Sequence, residues 1–317
     1  MSRPRVVAFG GGHGLFASLR ALRTLPVDLT AVVTVADDGG SSGRLRREFD
    51  ALPPGDLRQA LVALADPADP VSAAQFQHRF PGGGELGGHA VGNLVLTGLT
   101  EVLGGPVAAL THAGRMLGCR GRVLPMAAQP LQIEAEVSNL VPDDPEAVVL
   151  VRGQHAVAST PGHVRLVRLL PAEPTACPEA LEAVHAADAL VLGPGSWFTS
   201  VLPHFLVPEL RDAIVGASAL RVVVLNLGND GETDGWPIEG HLGALHAHAP
   251  DLKVDVAIAD PGAVRDHARL AGAAESVGGR LVVAPVAVGD GSPRHDPGGL
   301  AVALRDALGS VTGIERS

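Results

Sequence analysis

The stretch VVAFGGGHGLFASLRALRTLPVDLTAVVTVADD, residues 6–38, decides the fold. Val6 to Phe9 is a short apolar run that breaks into glycines. Leu15 to Leu25 carries apolar residues at helical spacing, and Leu29 to Ala36 is a second apolar run rich in β-branched residues. Strand, glycine turn, helix and strand in that order open a parallel sheet with helices on its faces.

The same rhythm continues outward from this unit. Gly55 to Ala65 reads as a helix introduced by Pro53-Pro54-Gly55-Asp56, and His89 to Leu103 as a mostly apolar, buried helix. Between them residues 70–88, ending in PGGGELGG, read as one long irregular segment, the kind of loop that tends to carry function. Residues 122–170 change character: RVLPMA, LQIEAEV, AVVLVRG and HVRLVRLL are short runs, several of them alternating, separated by Pro, Asp and Gly. That is the pattern of antiparallel strands. After Pro178 the first rhythm returns, with strands expected at Ala189–Leu192, Arg221–Leu225, Val254–Ala259 and Arg280–Ala284 and helices at Pro261–Leu270 and Pro297–Leu308. The expected fold is α/β: a Rossmann-like, doubly wound, mostly parallel sheet with an antiparallel β excursion near residues 122–170. With no linker or internal repeat, residues 1–317 read as a single compound domain.

Composition narrows the function. The 317 residues are 46% hydrophobic and 18% charged, enough for a large core. A net charge of −10 argues against nonspecific binding to nucleic acid or to a membrane surface, but leaves room for a nucleotide ligand. Lys253 is the only lysine and follows no glycine loop, which rules out a P-loop and disfavours Schiff-base chemistry. Cys119 and Cys177 are too few and too far apart for a disulfide framework or a zinc site of their own. The start lacks an apolar segment of signal type and no apolar run spans about 18 residues, so the chain is expected in the cytoplasm.

Four polar segments follow expected strands and should gather at the carboxyl edge of the sheet, where doubly wound proteins bind ligands. The first is FGGGHGL, whose Gly10, Gly11, Gly12, His13 and Gly14 fit a phosphate-binding turn at a helix start. It is incomplete as a dinucleotide fingerprint because Leu15 stands at the third glycine position. The second is DDGGSSGRLR. Asp37 and Asp38 occupy the place of a ribose-binding acid and are candidate ligands for a divalent cation. Ser41 and Ser42 can donate to a phosphate, and Arg44 can neutralise it. Adjacent strand positions diverge, so only one of the two acids should face the ligand. The third segment offers Asp56, as a helix cap or a ligand contact, and Arg58, a cation placed against the helix dipole and so suggesting an anionic partner. His89 and Asn93, four apart, are expected on one face of the following helix. The fourth is LGPGSWFTS, giving Gly193, Gly195, Ser196 and Thr199; its spacing is wrong for a nucleophile elbow. Trp197 and Phe198 can stack on a base or pack in the core. Less clear are Asn226, Glu232, Thr233 and Asp234 in LNLGNDGETDGWP, and His295 and Asp296 in RHDP, where Asp296 before Pro297 reads as a helix cap.

Taken together, GGGHG, VTVADDGGSSGRLR, PPGDLR, GHAVGNL, GPGSWFTS, GETDG and RHDP occur in the order found in YvcK-like proteins, the gluconeogenesis-factor family, relatives of the 2-phospho-L-lactate transferase CofD. The resemblance spans roughly residues 5–308, with two departures: His13 stands where Thr is common, and Gln59 where Asn is common. It implies a Rossmann-like, nucleotide-binding fold. On the YvcK branch it implies a cytoplasmic regulator that binds UDP-sugars such as UDP-N-acetylglucosamine, supports cell shape and wall-precursor supply, and requires no cofactor. Such a regulator would act through a protein partner, and a homodimer is compatible with so apolar a chain. The CofD branch implies the alternative: an enzyme that transfers a phospholactyl group to the deazaflavin FO with Mg2+. An NAD-dependent oxidoreductase is a weaker third reading, set back by the incomplete glycine fingerprint.

Overall fold

The computed structural model describes residues 3–228, 233 and 236–309. The chain opens with β1 (Arg5–Gly10), α1 (Gly12–Leu22) and β2 (Asp28–Val33). Five helices follow: α2 (Gly40–Phe49), α3 (Pro54–Leu64), α4 (Pro70–Gln77), α5 (Val91–Leu103) and α6 (Pro106–Met116). Next come β3 (Arg122–Pro125), β4 (Gln132–Ser138), β5 (Val149–Arg152), α7 (Gln154–Ala158) and β6 (His163–Leu170). The remainder alternates: α8 (Pro178–His185), β7 (Ala189–Leu192), α9 (Pro208–Gly216), β8 (Leu220–Val224), α10 (Gly240–His248), β9 (Val256–Ala259), α11 (His267–Ser276), β10 (Arg280–Val283) and α12 (Pro297–Ala307). Two tight helical turns, Trp197–Val201 and Leu202–Leu206, sit between β7 and α9. Six of these helices begin on proline, whose fixed φ and missing N–H suit a first helical position.

Seven strands form one parallel sheet in the order β10-β9-β8-β7-β1-β2-β3. Strands β1, β7 and β9 are buried along nearly their whole length, as expected where helices cover both faces. The chain leaves β1 toward β2 and β3, then returns to β7 and runs the other way. The crevice between the carboxyl ends of β1 and β7 is therefore the topological switch point. The second sheet, β5-β4-β6, is antiparallel. In β4, Ile133, Ala135 and Val137 face the core, while Glu134 pairs with Arg152 at 2.5 Å and Glu136 pairs with Arg168.

The doubly wound architecture and the antiparallel excursion stand as read from the sequence, with local corrections. Residues 122–125 belong to the parallel sheet, because β3 arrives through five helices rather than a turn and buries Val123, Leu124 and Pro125 beside β2. The excursion is residues 132–170, and it holds a helix, α7. The segment 70–88 is not wholly irregular: Asp69 caps α4 by accepting from Ser72 N at 3.1 Å. Helix α5 starts at Val91, so His89 precedes it, and only one face is buried; Val102 on the other face is 81% exposed. The helix expected at Pro261–Leu270 begins at His267, where Asp266 caps it, because Asp260 holds residues 260–263 in a turn through Gly262 N.

Candidate functional site

Two glycine loops meet at the switch point. The loop after β1 supplies Gly11 to Gly14, and α1 begins there with no side chain of its cap residue bonded to the first-turn N–H groups. The loop after β7 supplies Gly193 to Ser196. A Cβ on Gly14 would lie 2.2 Å from the carbonyl oxygen of Pro194, so only glycine allows the loops to touch. Asn226, beyond β8, fixes the second loop on both sides: it accepts from Gly195 N at 3.1 Å and donates to Gly195 O at 3.0 Å. Ser18 of α1 donates to Gly193 O at 2.8 Å.

Around these loops lies a cavity of about 670 Å³. Gly11 to Gly14, Asp37, Gly195, Ser196, Thr199, Asn226 and Thr233 all line it, as the sequence suggested. Glu232 and Asp234 lie outside the described residues. Lining residues outside the sequence candidates include Phe16, Gln154 and His155 from α7, and Arg294. A glycine following the hydrophobic strand β5 was the only sequence signal for the α7 wall. His295 also lines the cavity, with Nε2 3.2 Å from Leu225 O, and Asp296 caps α12 as read, accepting from Gly299 N at 2.7 Å.

The remaining candidates form a layer behind this wall. Gly10 ends β1 and Gly193 follows β7 directly, both inside the sheet edge. Ser42 accepts from Gly55 N at 3.0 Å, docking the PPGD turn beneath Asp37. Asp56 is in the first turn of α3, not at its cap, which is Pro53. It is buried under Gly11, where a Cβ would lie 2.5 Å from Asp56 Oδ2. Burial, and next the charge of Asp37, push the Asp56 carboxyl up to about 7 against the opposing pull of Gly12 N–H and Arg58. Arg58 is buried too, and Nε and Nη1 have no hydrogen-bond partner; burial and then Arg79 push its guanidinium down to about 10, opposed by Asp56 and Asp37. Its expected anionic partner is thus the carboxylate pair at longer range rather than a contact ion pair.

His89 and Asn93 do converge, on Ser41. Ser41 Oγ is 2.9 Å from His89 Nδ1, and Asn93 Nδ2 donates to Ser41 Oγ at 2.9 Å. Burial and then the charge of Arg44 lower the His89 pKa, which favours the neutral ring. All three are buried away from the cavity, so the Ser–His pair ties α2 to the residue just ahead of α5 and Asn93 ties it to α5 itself. Arg44 donates to Glu85 O at 3.2 Å and Gly87 O at 2.6 Å, so it holds the glycine-rich segment and does not line the cavity. Asp38 turns away from Asp37 and accepts from His155 N at 3.1 Å. Trp197 and Phe198 are fully buried, Trp197 beside His241 and Phe198 edge-to-face with Trp236, so both pack in the core and neither lines the cavity.

Among the described residues no group of three or more His, Cys, Asp or Glu could hold a metal ion, and no helix is long and apolar enough to cross a membrane. The Cys119 thiol is pushed up to about 12 and that of Cys177 to about 11, in both cases by burial first, so neither is an activated nucleophile.

Comparison with known proteins shows the family of the chain and relatives of the same fold. The family model described as 2-phospho-L-lactate transferase CofD matches residues 6–277. A Mycobacterium tuberculosis relative is 54% identical over 305 residues, 94% of this chain and 89% of its own length. Proteins named gluconeogenesis factor from Halalkalibacterium halodurans and Bacillus subtilis are 42% and 40% identical, each over 78% of this chain and 74% and 75% of their own lengths. A crystal structure of a UPF0052-family protein from Bacillus halodurans superposes with a TM-score of 0.85 at 36% identity, covering 96% of this chain and 99% of that one.

Proposed function

Because the chain belongs to the CofD family, alongside its YvcK-like gluconeogenesis factors, we propose that it is a regulatory protein that binds a nucleotide-sugar of the UDP-N-acetylglucosamine class. One observation carries the reading: two interlocked glycine loops and a helix start converge on a 670 Å³ cavity at the switch point, with Asp37 beside them. The helix start and the backbone N–H groups suit a diphosphate, Asp37 suits a ribose, and Thr233 and His295 lie at the opposite end for a glycosyl group. The Ser–His pair is shut away from the cavity, which favours binding over turnover. In the cell such a protein would act as a gluconeogenesis factor in the cytoplasm, supporting cell shape and wall-precursor supply through a protein partner.

Calorimetry with UDP-N-acetylglucosamine, UDP-glucose, NAD and GDP tests this. A UDP-sugar is expected to bind; silence from every UDP-sugar at millimolar concentration would end the reading.

One observation favours the transferase alternative. Asp56 Oδ2 is a buried carboxylate oxygen with no hydrogen-bond partner, electrostatically coupled to Asp37 beneath the phosphate loops. These two carboxylates, rather than Asp37 and Asp38, fit a divalent cation such as Mg2+, which would supply charge neutralisation at a diphosphate. Incubation with FO, its guanylylated phospholactate donor and Mg2+ decides it: product formation is required, and its absence beside an active control transferase removes the alternative.

A further inference from the structure

The cavity has two ends, and the topology distinguishes them. In doubly wound sheets the acid beyond the second strand takes the ribose, and the diphosphate lies over the helix N-terminus at the switch point. Asp37 stands in that acid position, so the nucleoside end of a ligand lies on the β2 side. The wall over Asp37 comes from α7 of the antiparallel unit, which reaches from the loop after β2 to the Trp197–Val201 turn after β7. Gln154 and His155 line the same cavity as Asp37 and Gly39.

The attachment of that wall is specific. Gly153 N donates to Ile133 O at 2.8 Å, which ties the start of α7 to β4. His155 N donates to Asp38 Oδ1 at 3.1 Å, which ties it to the loop after β2. Gly153 has φ +102°, and a Cβ there would lie 2.2 Å from Asp38 Oδ2. Asp38 therefore closes on α7 over a position that only glycine can fill. The chemistry of the wall suits a nucleoside. A carboxamide presents a donor and an acceptor side by side to a base edge. The chain has no tyrosine, and Trp197 and Phe198 are in the core; of the rings that line the cavity, Phe16, His13, His295 and His155, the last is the one whose backbone is tied to the loop after β2.

We propose that α7 is the wall that contacts the nucleoside, with Gln154 on the base edge and His155 against its face or its ribose, and that Asp38 is the positioning residue that latches this wall in place. The inference rests on the nucleotide-sugar reading and assigns one of its ends. Its test separates the ends by fragment: calorimetry on the full chain with UDP-N-acetylglucosamine, UDP, N-acetylglucosamine 1-phosphate and inorganic pyrophosphate. Gln154→Ala and His155→Ala are expected to weaken UDP and UDP-N-acetylglucosamine alike, each by about tenfold, the size of one hydrogen bond or ring contact. Pyrophosphate and the sugar phosphate should be unaffected. Asp38→Ala should produce the same fragment pattern with an unchanged far-UV spectrum, and Asp38→Asn, which keeps an acceptor for His155 N, should restore most of the affinity. Three results overturn the assignment: loss confined to UDP-N-acetylglucosamine with UDP unchanged, loss shared with pyrophosphate, or no loss in any variant. If the wild-type chain binds no UDP compound, the nucleotide-sugar reading itself fails, a result distinct from these three.

Discussion

Gly14 and Asp56 show how much of the site rests on single atoms. At Gly14 a methyl group would meet the Pro194 carbonyl, and both neighbours are backbone, so the loops would have to part. Gly14→Ala should cost roughly 1–3 kcal/mol, the usual range for overpacking, and should lower ligand affinity by more than it lowers stability. Urea unfolding and calorimetry measure the two effects separately. Asp56 makes a pH prediction. Its carboxyl holds a proton up to about pH 7 in the fold, against an ordinary value of 3.8. The folded state therefore binds more protons than the unfolded one between these values. Stability from this group is full below pH 3.8 and is lost as pH rises through about 7. Asp56→Asn should gain roughly 2–4 kcal/mol at pH 8 and little at pH 4. Equal gains at both pH values in chemical denaturation would contradict it. The sequence singled out both residues for the right neighbourhood. It assigned Asp56 to a helix cap or a ligand because a carboxylate after Pro-Gly reads the same whether solvent or a glycine loop covers it.

At the scale of elements, the polar side chains that do not reach the cavity dock one element on another. Ser41 meets both His89 Nδ1, just ahead of α5, and Asn93 Nδ2 on α5, and so helps fasten α2 to α5. Ser41→Ala leaves two buried groups without their partner and should cost about 1–3 kcal/mol in urea unfolding, with ligand affinity little changed. Asp260, at the end of β9, accepts from Gly262, Val286 and Ala287 N at 2.8, 2.9 and 2.9 Å and so holds the segment leading to the Arg294–His295 wall. Asp260→Ala should destabilise by about 2–3 kcal/mol and also weaken binding of a UDP-sugar more than of UDP, because the displaced wall is the one opposite Asp37. A uniform loss for both ligands would count against that arrangement. The alternation in β4, with Glu134 and Glu136 on one face and Ile133 and Val137 on the other, was legible because a strand writes its two faces into the sequence. β3 was misplaced because Val123 and Leu124 are a run too short to show whether the partner strand is parallel.

The whole molecule brings together loops that are far apart in the chain. Residues 11–14, 37, 39, 154–155, 194–196, 226 and 294–295 reach one cavity because their strands share a carboxyl edge and because the antiparallel unit folds back over it. Filling that cavity should stabilise the entire fold. Ligand at a hundred times its dissociation constant contributes about 2.7 kcal/mol, which should raise the melting temperature by roughly 5 °C in a thermal scan. No shift with any UDP-sugar at that saturation would contradict occupancy of the native site. By itself the sequence determined the βαβ opening, the parallel sheet and the glycine loops that mark its ligand edge, since these are properties of local spacing and of backbone that must approach closely. Only the tertiary structure decided which polar residues face the cavity: Asp37 and not Asp38, Gln154 and not Arg44. Side-chain direction depends on which element packs against the segment from elsewhere in the chain, and α7, Gly87 and the PPGD turn are neighbours that no local pattern around residues 37–44 could specify.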